Sequence, residues 1–193
     1  MQQLDKHQYE RDYFNRLRAI QPLGLTPVER AARFIYLNKS CFNGLYRVNK
    51  RGEFNVPFGS YKTTPRYYDE DNFRSAGSLL MTTRIVSGRF DETLEAAGDG
   101  DFVYLDPPYQ PVSGTSFTSY TADRFVEHDQ LWLKAQVDAL SERGCRVMLS
   151  NSDTPFTRWL YADYQMTTVR AVRSINSDAN GRAAVNEIII RNY

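Results

Sequence analysis

Phe102-Val103-Tyr104-Leu105-Asp106-Pro107-Pro108-Tyr109 decides how the rest of this chain is read. The first four residues are an apolar run of strand length, and they read as a buried strand. The two prolines end it, because neither has an N–H for a sheet ladder and both have a fixed φ. A carboxylate, two rigid residues and an aromatic ring therefore stand at the carboxyl end of a strand. In open α/β sheets that is where ligands bind.

Downstream, apolar spacing predicts a long helix near Glu127–Arg143, with Leu131, Leu133, Ala135, Val137 and Leu140 among its apolar residues. A buried strand Arg146–Leu149 follows, then a helix near Pro155–Tyr161. Two more strands, Met166–Val172 and Val185–Ile190, are joined by the polar loop Asn176–Arg182, as in an antiparallel hairpin at the sheet's edge or end. Upstream, a helix near Glu70–Leu80, a short strand near Arg84–Val86 and a short helix near Glu92–Ala97 are expected. Strands alternating with helices imply βαβ units and a mostly parallel sheet.

The first part of the chain has a different texture. Leu4, Tyr9, Tyr13, Leu17 and Ile20 have near-helical spacing over residues 4–20. Gln21-Pro22-Leu23-Gly24 breaks that pattern. Thr26-Pro27-Val28-Glu29 then starts a second helix, with Thr26 as N-cap, Pro27 in the first turn and Glu29 completing a capping box. Val28, Ala31, Ala32, Ile35, Leu37 and Leu45 are expected on the buried side of that helix and its exit. Residues 42–66 hold Gly44, Gly52, Gly59, Pro57 and Pro65 and read as an ordered loop or hairpin. The division expected is a helical, basic part over residues 1–75 and an α/β part over residues 76–193.

At 193 residues with 41% hydrophobic content, the chain can bury a real core. Net charge is +1, yet Lys39, Arg47, Lys50, Arg51, Lys62 and Arg66 face a single acid, Glu53, between residues 39 and 66. Local basicity in a neutral chain fits either a face that meets phosphates or a solvated loop. Cys41 and Cys145 have no metal-ligand partner nearby, so neither a metal site nor a disulfide framework is expected. Cys145, inside an apolar run, reads as a core residue. No apolar stretch approaches the roughly 20 residues that span a bilayer, and the polar start is not a signal peptide. A reducing cytoplasm is the expected compartment. His7 and His128 are isolated on expected helices, which fits surface or packing roles.

The four residues after the central strand suit one kind of chemistry. An amino group on an aromatic base is a weak nucleophile, because its lone pair is conjugated into the ring. Two acceptors holding its N–H protons pull the nitrogen toward tetrahedral geometry. Asp106 supplies a carboxylate, and the Pro107 carbonyl supplies a second acceptor. Pro108 stiffens the turn, and Tyr109 offers a ring for stacking. Such a site works by positioning and electrostatics. The same residues also fit a plain strand exit with Asp106 as a helix cap.

Asp106–Tyr109, taken with the segment Asn43-Gly44-Leu45-Tyr46-Arg47-Val48-Asn49-Lys50-Arg51-Gly52-Glu53-Phe54-Asn55-Val56-Pro57-Phe58-Gly59, resembles the Dam-type (D12 class) DNA adenine-N6 methyltransferases. Phe117-Thr118-Ser119-Tyr120, Leu149-Ser150-Asn151-Ser152-Asp153-Thr154 and the tail from Val172-Arg173-Ser174-Ile175 to Asn186-Glu187 extend the resemblance over roughly residues 10–193. It implies an α/β fold, an incomplete Rossmann-like methyltransferase sheet with a helical and hairpin DNA target-recognition subdomain. It implies methyl transfer from S-adenosylmethionine to adenine N6 in duplex DNA, at a GATC-like site, after base flipping. Asp106, Pro107, Pro108 and Tyr109 would be catalytic, with Asp106 also touching the cofactor. Phe42 would insert into the duplex where the adenine leaves the stack. Asn43 would contact the opened site, and Arg47 would read a guanine through O6 and N7. Leu45 and Pro57 would touch bases, and Tyr61 and Lys62 phosphates. Ser60 replaces a frequent basic residue there. Double-stranded DNA is the implied partner, the nucleoid the implied location, and a restriction–modification setting is in keeping.

Members of that family bind S-adenosylmethionine with a Phe-x-Gly-x-Gly loop after the first strand. Residues 1–193 contain no such loop. Gly98-Asp99-Gly100 precedes its strand and reads as a turn. Three explanations stay open: a truncated gene product, one part of a split enzyme completed by an N-terminal fragment, or another segment in place of the loop. A non-catalytic DNA-binding remnant and amino methylation of cytosine N4 or a protein glutamine are the competing functions.

Overall fold

The computed structural model describes residues 1–112, 125–172 and 184–193. The sequence features at residues 117–120, 173–175 and 176–182 fall outside these described residues. Two compact units are present, Met1–Ile85 and the described residues from Val86 onward.

The first unit is built on α1 (Arg11–Ala19), α2 (Pro27–Ser40) and α3 (Glu70–Leu80), with short 3-10 turns at Pro22–Gly24 and Phe42–Gly44. α2 starts as its sequence dictates. The Glu29 N–H donates to the Thr26 hydroxyl at 3.4 Å, and the Thr26 N–H donates back to the Glu29 carboxylate at 2.9 Å. The buried stripe of α2 agrees with expectation at Ala32 and Leu37 and departs from it at Val28 and Ala31. Ala32, Arg33, Tyr36, Leu37 and Ser40 are buried, whereas Val28 is 65% exposed and Ala31 is exposed. Ile35 and Leu45 are half-buried. Tyr36 sets this rotation: its ring lies within an aromatic cluster of His7, Tyr13, Phe14 and Tyr67.

The helix expected over residues 4–20 is confined to Arg11–Ala19. Turns precede it, held by tertiary bonds. The Tyr36 hydroxyl donates to the Gln8 carbonyl at 2.8 Å, and Tyr9 donates to the Gly59 carbonyl. Leu4 is still buried, at 2% exposure. At the far end of α1 the buried Arg33 guanidinium donates to the Leu17 and Arg18 carbonyls at 3.0 and 2.8 Å. The Leu17 carbonyl also accepts from the Ile20 N–H at 3.3 Å, and the guanidinium adds a partner for the open end of the last turn. A cavity of about 240 Å³ lies beside it, lined by Arg18, Arg30, Arg33, Phe34, Tyr46 and Phe54 among others. It includes none of the expected site residues.

The second unit holds α4 (Phe90–Leu94), β1 (Phe102–Leu105), α5 (Glu127–Glu142), β2 (Arg146–Ser152), α6 (Pro155–Leu160), β3 (Gln165–Val172) and β4 (Ala184–Arg191). The strand order is β1-β2-β4-β3. Only β1 and β2 run parallel; β4 is antiparallel to both β2 and β3. The expectation of a mostly parallel sheet is therefore corrected, because the β3–β4 hairpin inserts its second strand against β2. Leu133, Val137 and Leu140 of α5 pack with Val103, Leu105, Val147, Leu149, Ile188 and Ile190. Each fully buried aliphatic side chain of this kind contributes about 1.5–3 kcal/mol. Leu131, also expected among the helix's apolar residues, is 43% exposed.

The strand expected near Arg84–Val86 does not form. Ile85 and Val86 are 72% and 52% exposed. A strand exists only through its ladder, and no neighbour among the described residues provides one. Among the described residues β1 likewise pairs with β2 alone, and Phe102 and Tyr104, on the face opposite Val103 and Leu105, are 57% and 54% exposed. Among the described residues no helix is long and apolar enough to cross a membrane.

Candidate functional site

β1 and β2 run in parallel register with Leu105 opposite Leu149. One step further along each strand stand Asp106 and Ser150. The Ser150 hydroxyl donates to Asp106 Oδ1 at 2.8 Å and accepts from the Tyr104 hydroxyl at 3.2 Å. Ser150 is 2% exposed, whereas Asp106 is exposed. One carboxylate oxygen is thus anchored to the sheet, which leaves Oδ2 to face a ligand.

The prolines are fixed from below by two buried amides. Gln130 of α5 donates from Nε2 to the Pro108 carbonyl at 3.0 Å. Asn151 of β2 donates from Nδ2 to Gln130 Oε1 at 3.1 Å, and its Oδ1 accepts from the Gln110 and Ser152 N–H groups, both at 2.8 Å. Gln130 is 2% exposed and Asn151 is fully buried. With the Pro108 carbonyl engaged, the Pro107 carbonyl has no donor among the described residues and stays available beside Asp106. Pro107, Pro108 and Tyr109 are half-buried. Burial raises the Tyr109 phenol above its usual range, and the Glu187 and Asp106 carboxylates push the same way. A neutral ring at this position suits stacking.

Tyr104, Ser150, Asn151 and Gln130 had no role assigned from sequence, though a signal was present. Ser150-Asn151-Ser152 are three buried polar residues in succession where the strand's alternation should continue. Gln130 occupies the first place of the buried stripe Gln130, Leu133, Val137, Leu140.

In the first unit, residues 41–59 form a turn and a narrow hairpin. Asn43 adopts a left-handed conformation (φ 54°), and Gly44 continues it at φ 62°. Asparagine tolerates this region better than most residues. The tight turn leaves Phe42 48% exposed, while its N–H donates to the Pro57 carbonyl at 2.9 Å. Cys41 is fully buried beneath it, with Sγ near the Leu45 and Asn38 carbonyls at 3.1 and 3.2 Å. Burial pushes its thiol up to about 11, which makes it a packing residue rather than a nucleophile.

Gly59 closes the base of this loop. A Cβ there would meet the Cys41 carbonyl oxygen at 2.7 Å and the Tyr61 ring at 2.6 Å. The Tyr61 hydroxyl donates to the Cys41 carbonyl at 2.7 Å, so it is engaged within the loop, while Lys62 is exposed. Leu45 is half-buried and Pro57 exposed. The exposed Arg47 guanidinium lies against Asn55, with Nε to Oδ1 at 2.8 Å.

Gly98-Asp99-Gly100 is a turn. The Gly98 N–H donates to the Asp101 carboxylate at 2.9 Å and the Gly100 N–H to the Gly144 carbonyl at 3.1 Å. Its amides are engaged, so it does not fit the loop that would cradle S-adenosylmethionine. Among the described residues no cluster of side chains has metal-ligand geometry.

A strand-end carboxylate, a proline carbonyl with no donor among the described residues and a half-buried aromatic ring stand together at the end of β1. The chain belongs to the D12 class N6 adenine-specific DNA methyltransferase family, whose match covers residues 1–175. It is 41% identical to the type II methyltransferase M1.LlaDCHI of Lactococcus lactis subsp. cremoris, over 98% of this chain and 70% of that protein. It is 45% identical to the type II methyltransferase M.MjaIII of Methanocaldococcus jannaschii, over 86% of this chain and 58% of that protein. It is 39% identical to a DNA adenine methylase of Vibrio cholerae, over 83% of this chain and 58% of that protein. The chain thus spans between 58% and 70% of the length of these relatives.

Proposed function

We propose that this chain holds the adenine and reads the site in a DNA methyltransferase that transfers a methyl group from S-adenosylmethionine to adenine N6 in duplex DNA. The observation that carries this reading is the paired acceptor set at the end of β1. Asp106 is anchored through one oxygen by Ser150, Gln130 holds the Pro108 carbonyl, and the Pro107 carbonyl has no donor among the described residues. An adenine amino group donating one proton to each acceptor has its lone pair turned out of the ring plane. Tyr109 stacks on the base. Because the acceptors are fixed before the base arrives, little reorganisation is left for the transition state.

Residues 42–62 supply the DNA contacts in this reading. Phe42 fills the gap left by the flipped adenine, Asn43 contacts the opened site, and Arg47 selects a guanine of a GATC-like sequence. Leu45 and Pro57 touch bases, and Tyr61 and Lys62 follow the backbone. Residues 1–75 would be the DNA-binding part and residues 76–193 the catalytic part, working on DNA in the cytoplasm. Asp106 is the one residue here assigned to the cofactor. Residues 1–193 hold no Phe-x-Gly-x-Gly loop for the rest of the cofactor.

The test is incubation of a GATC duplex with labelled S-adenosylmethionine. Label on adenine N6 is the expected result. A retarded duplex without label would replace this reading with that of a non-catalytic DNA-binding chain. A second reading, in which a separate polypeptide completes the enzyme, is favoured by the single-sided pairing of β1 and by the exposed Ile85 and Val86. In that case label appears only after a segment carrying the glycine loop is added.

A further inference from the structure

Arg47 and Asn55 face each other across the hairpin. The Asn55 N–H donates to the Arg47 carbonyl at 3.0 Å, next to the bridge between Val48 and Phe54. The side chains repeat the pairing. Arg47 Nε donates to Asn55 Oδ1 at 2.8 Å and Nη2 to the Asn55 backbone carbonyl at 3.3 Å. Asn55 is itself well fixed. Val56, its neighbour, is 1% exposed and its carbonyl accepts from Arg18 at 3.0 Å. At the hairpin's tip Asn49 closes the turn, accepting from the Arg51 and Glu53 N–H groups at 2.9 and 3.0 Å.

With Arg47 taken as the guanine reader, as proposed above, we infer that Asn55 is a positioning residue for sequence readout. A guanidinium carries five N–H groups in a planar fork. The edge formed by Nε and one side of Nη2 is held by Asn55. Only the Nη1–Nη2 end remains, and its two parallel donors match guanine O6 and N7. A side-on approach through Nε is closed. The exposed arginine thus presents one geometry to the DNA although nothing encloses it. Without the brace the same charge swings freely and satisfies a phosphate or a neighbouring base equally well. Asn55 therefore contributes to discrimination more than to total affinity.

The measurement is the ratio of duplex affinities at one fixed salt concentration, using the full chain. One duplex contains GATC, and the other has the guanine replaced by 7-deazaguanine, which lacks the N7 acceptor. The wild-type chain should favour the first. Asn55→Ala should lower the ratio about tenfold, the weight of one side chain left to be immobilised on binding. Asn55→Asp, which keeps the acceptor, should retain the ratio. Arg47→Ala should lower it alone, and adding Asn55→Ala to Arg47→Ala should change nothing more. A normal ratio in Asn55→Ala beside a lost one in Arg47→Ala overturns the role of Asn55 only. An unchanged ratio in Arg47→Ala overturns the guanine reading itself. Circular dichroism melts identify misfolded variants, and Asn55→Ala keeps the backbone rung in either case.

Discussion

The hairpin of residues 41–59 and the loop that ends β1 differ in how their polar side chains are held, although Arg18 and Tyr9 also reach the hairpin's base from a distance. In the hairpin, side-chain bonds to Asn49, Asn55 and the Gly44 carbonyl join residues two to eight apart. At the end of β1, the bonds that hold Asp106, Pro108 and Gln110 reach Gln130, Ser150 and Asn151, 22 to 44 residues away. The hairpin's bonds lie at or near the surface, while those of the loop are made by two amides and a hydroxyl buried to 2% exposure or less. A local, hydrated bond that breaks is replaced by water. A buried one leaves an unpaired group behind, at a cost of about 1–3 kcal/mol. Exchange of a polar residue should therefore cost less fold stability in the first region than in the second.

Asp106→Ala tests the loop where the effect should be greatest. Methyl transfer by the active species should fall on the order of 10²–10³-fold or more, the scale of losing one preorganised electrostatic group, with duplex affinity nearly unchanged. Single-turnover transfer and gel retardation together check it, and retained transfer would remove the acceptor role.

Asn151→Ala sharpens the contrast between regions. It strips partners from the Gln110 and Ser152 N–H groups and from Gln130. A loss of about 2–3 kcal/mol is expected in urea unfolding, against about 0.5–1.5 kcal/mol for Asn49→Ala in the hairpin turn. Equal losses would end the distinction between buried and hydrated braces.

Gly59→Ala is the exception within the hairpin. Its added Cβ meets the backbone of Cys41 as well as the Tyr61 ring, whose hydroxyl is itself bonded to the Cys41 carbonyl. Overpacking of that kind costs about 1–3 kcal/mol. A melting temperature equal to wild type would mean that the loop base relaxes freely.

The smallest effect concerns pH in the first unit. Burial lowers the pKa of His7, whose Nδ1 lies 2.7 Å from the Tyr13 hydroxyl. The unfolded chain then takes up its proton first as pH falls. Stability should decline from about pH 6.5 downward until the folded-state pKa is reached, and should level off below it. His7→Asn should flatten that part of the stability curve. An identical slope in the variant would assign the pH dependence to other groups.

How much of this could be read in advance follows the same division. Thr26-Pro27-Val28-Glu29 announced its helix because a capping box is closed within four residues. β1, α5 and the β3–β4 hairpin were legible from apolar spacing and a polar break. Ala32 and Leu37 are buried as their spacing predicts, whereas Val28 is exposed because Tyr36 takes the place within the aromatic cluster. The helix over residues 4–20 was overextended because Gln8 and Tyr9 bond to partners far along the chain. The segment at Arg84–Val86 has strand composition without a strand, since no described residue offers it a ladder.

The sequence alone determined that Asp106-Pro107-Pro108-Tyr109 ends a strand, and that residues 43–59 make an ordered turn-rich segment of the D12 class. Those features depend on φ restriction, periodicity and short-range polar bonds, all written into neighbouring residues. The tertiary structure alone decided that Ser150 takes one oxygen of Asp106, that Gln130 and Asn151 hold the prolines from below, and that β4 separates β2 from β3. Such choices depend on which groups lose water together when distant segments pack, and that is a property of the folded chain.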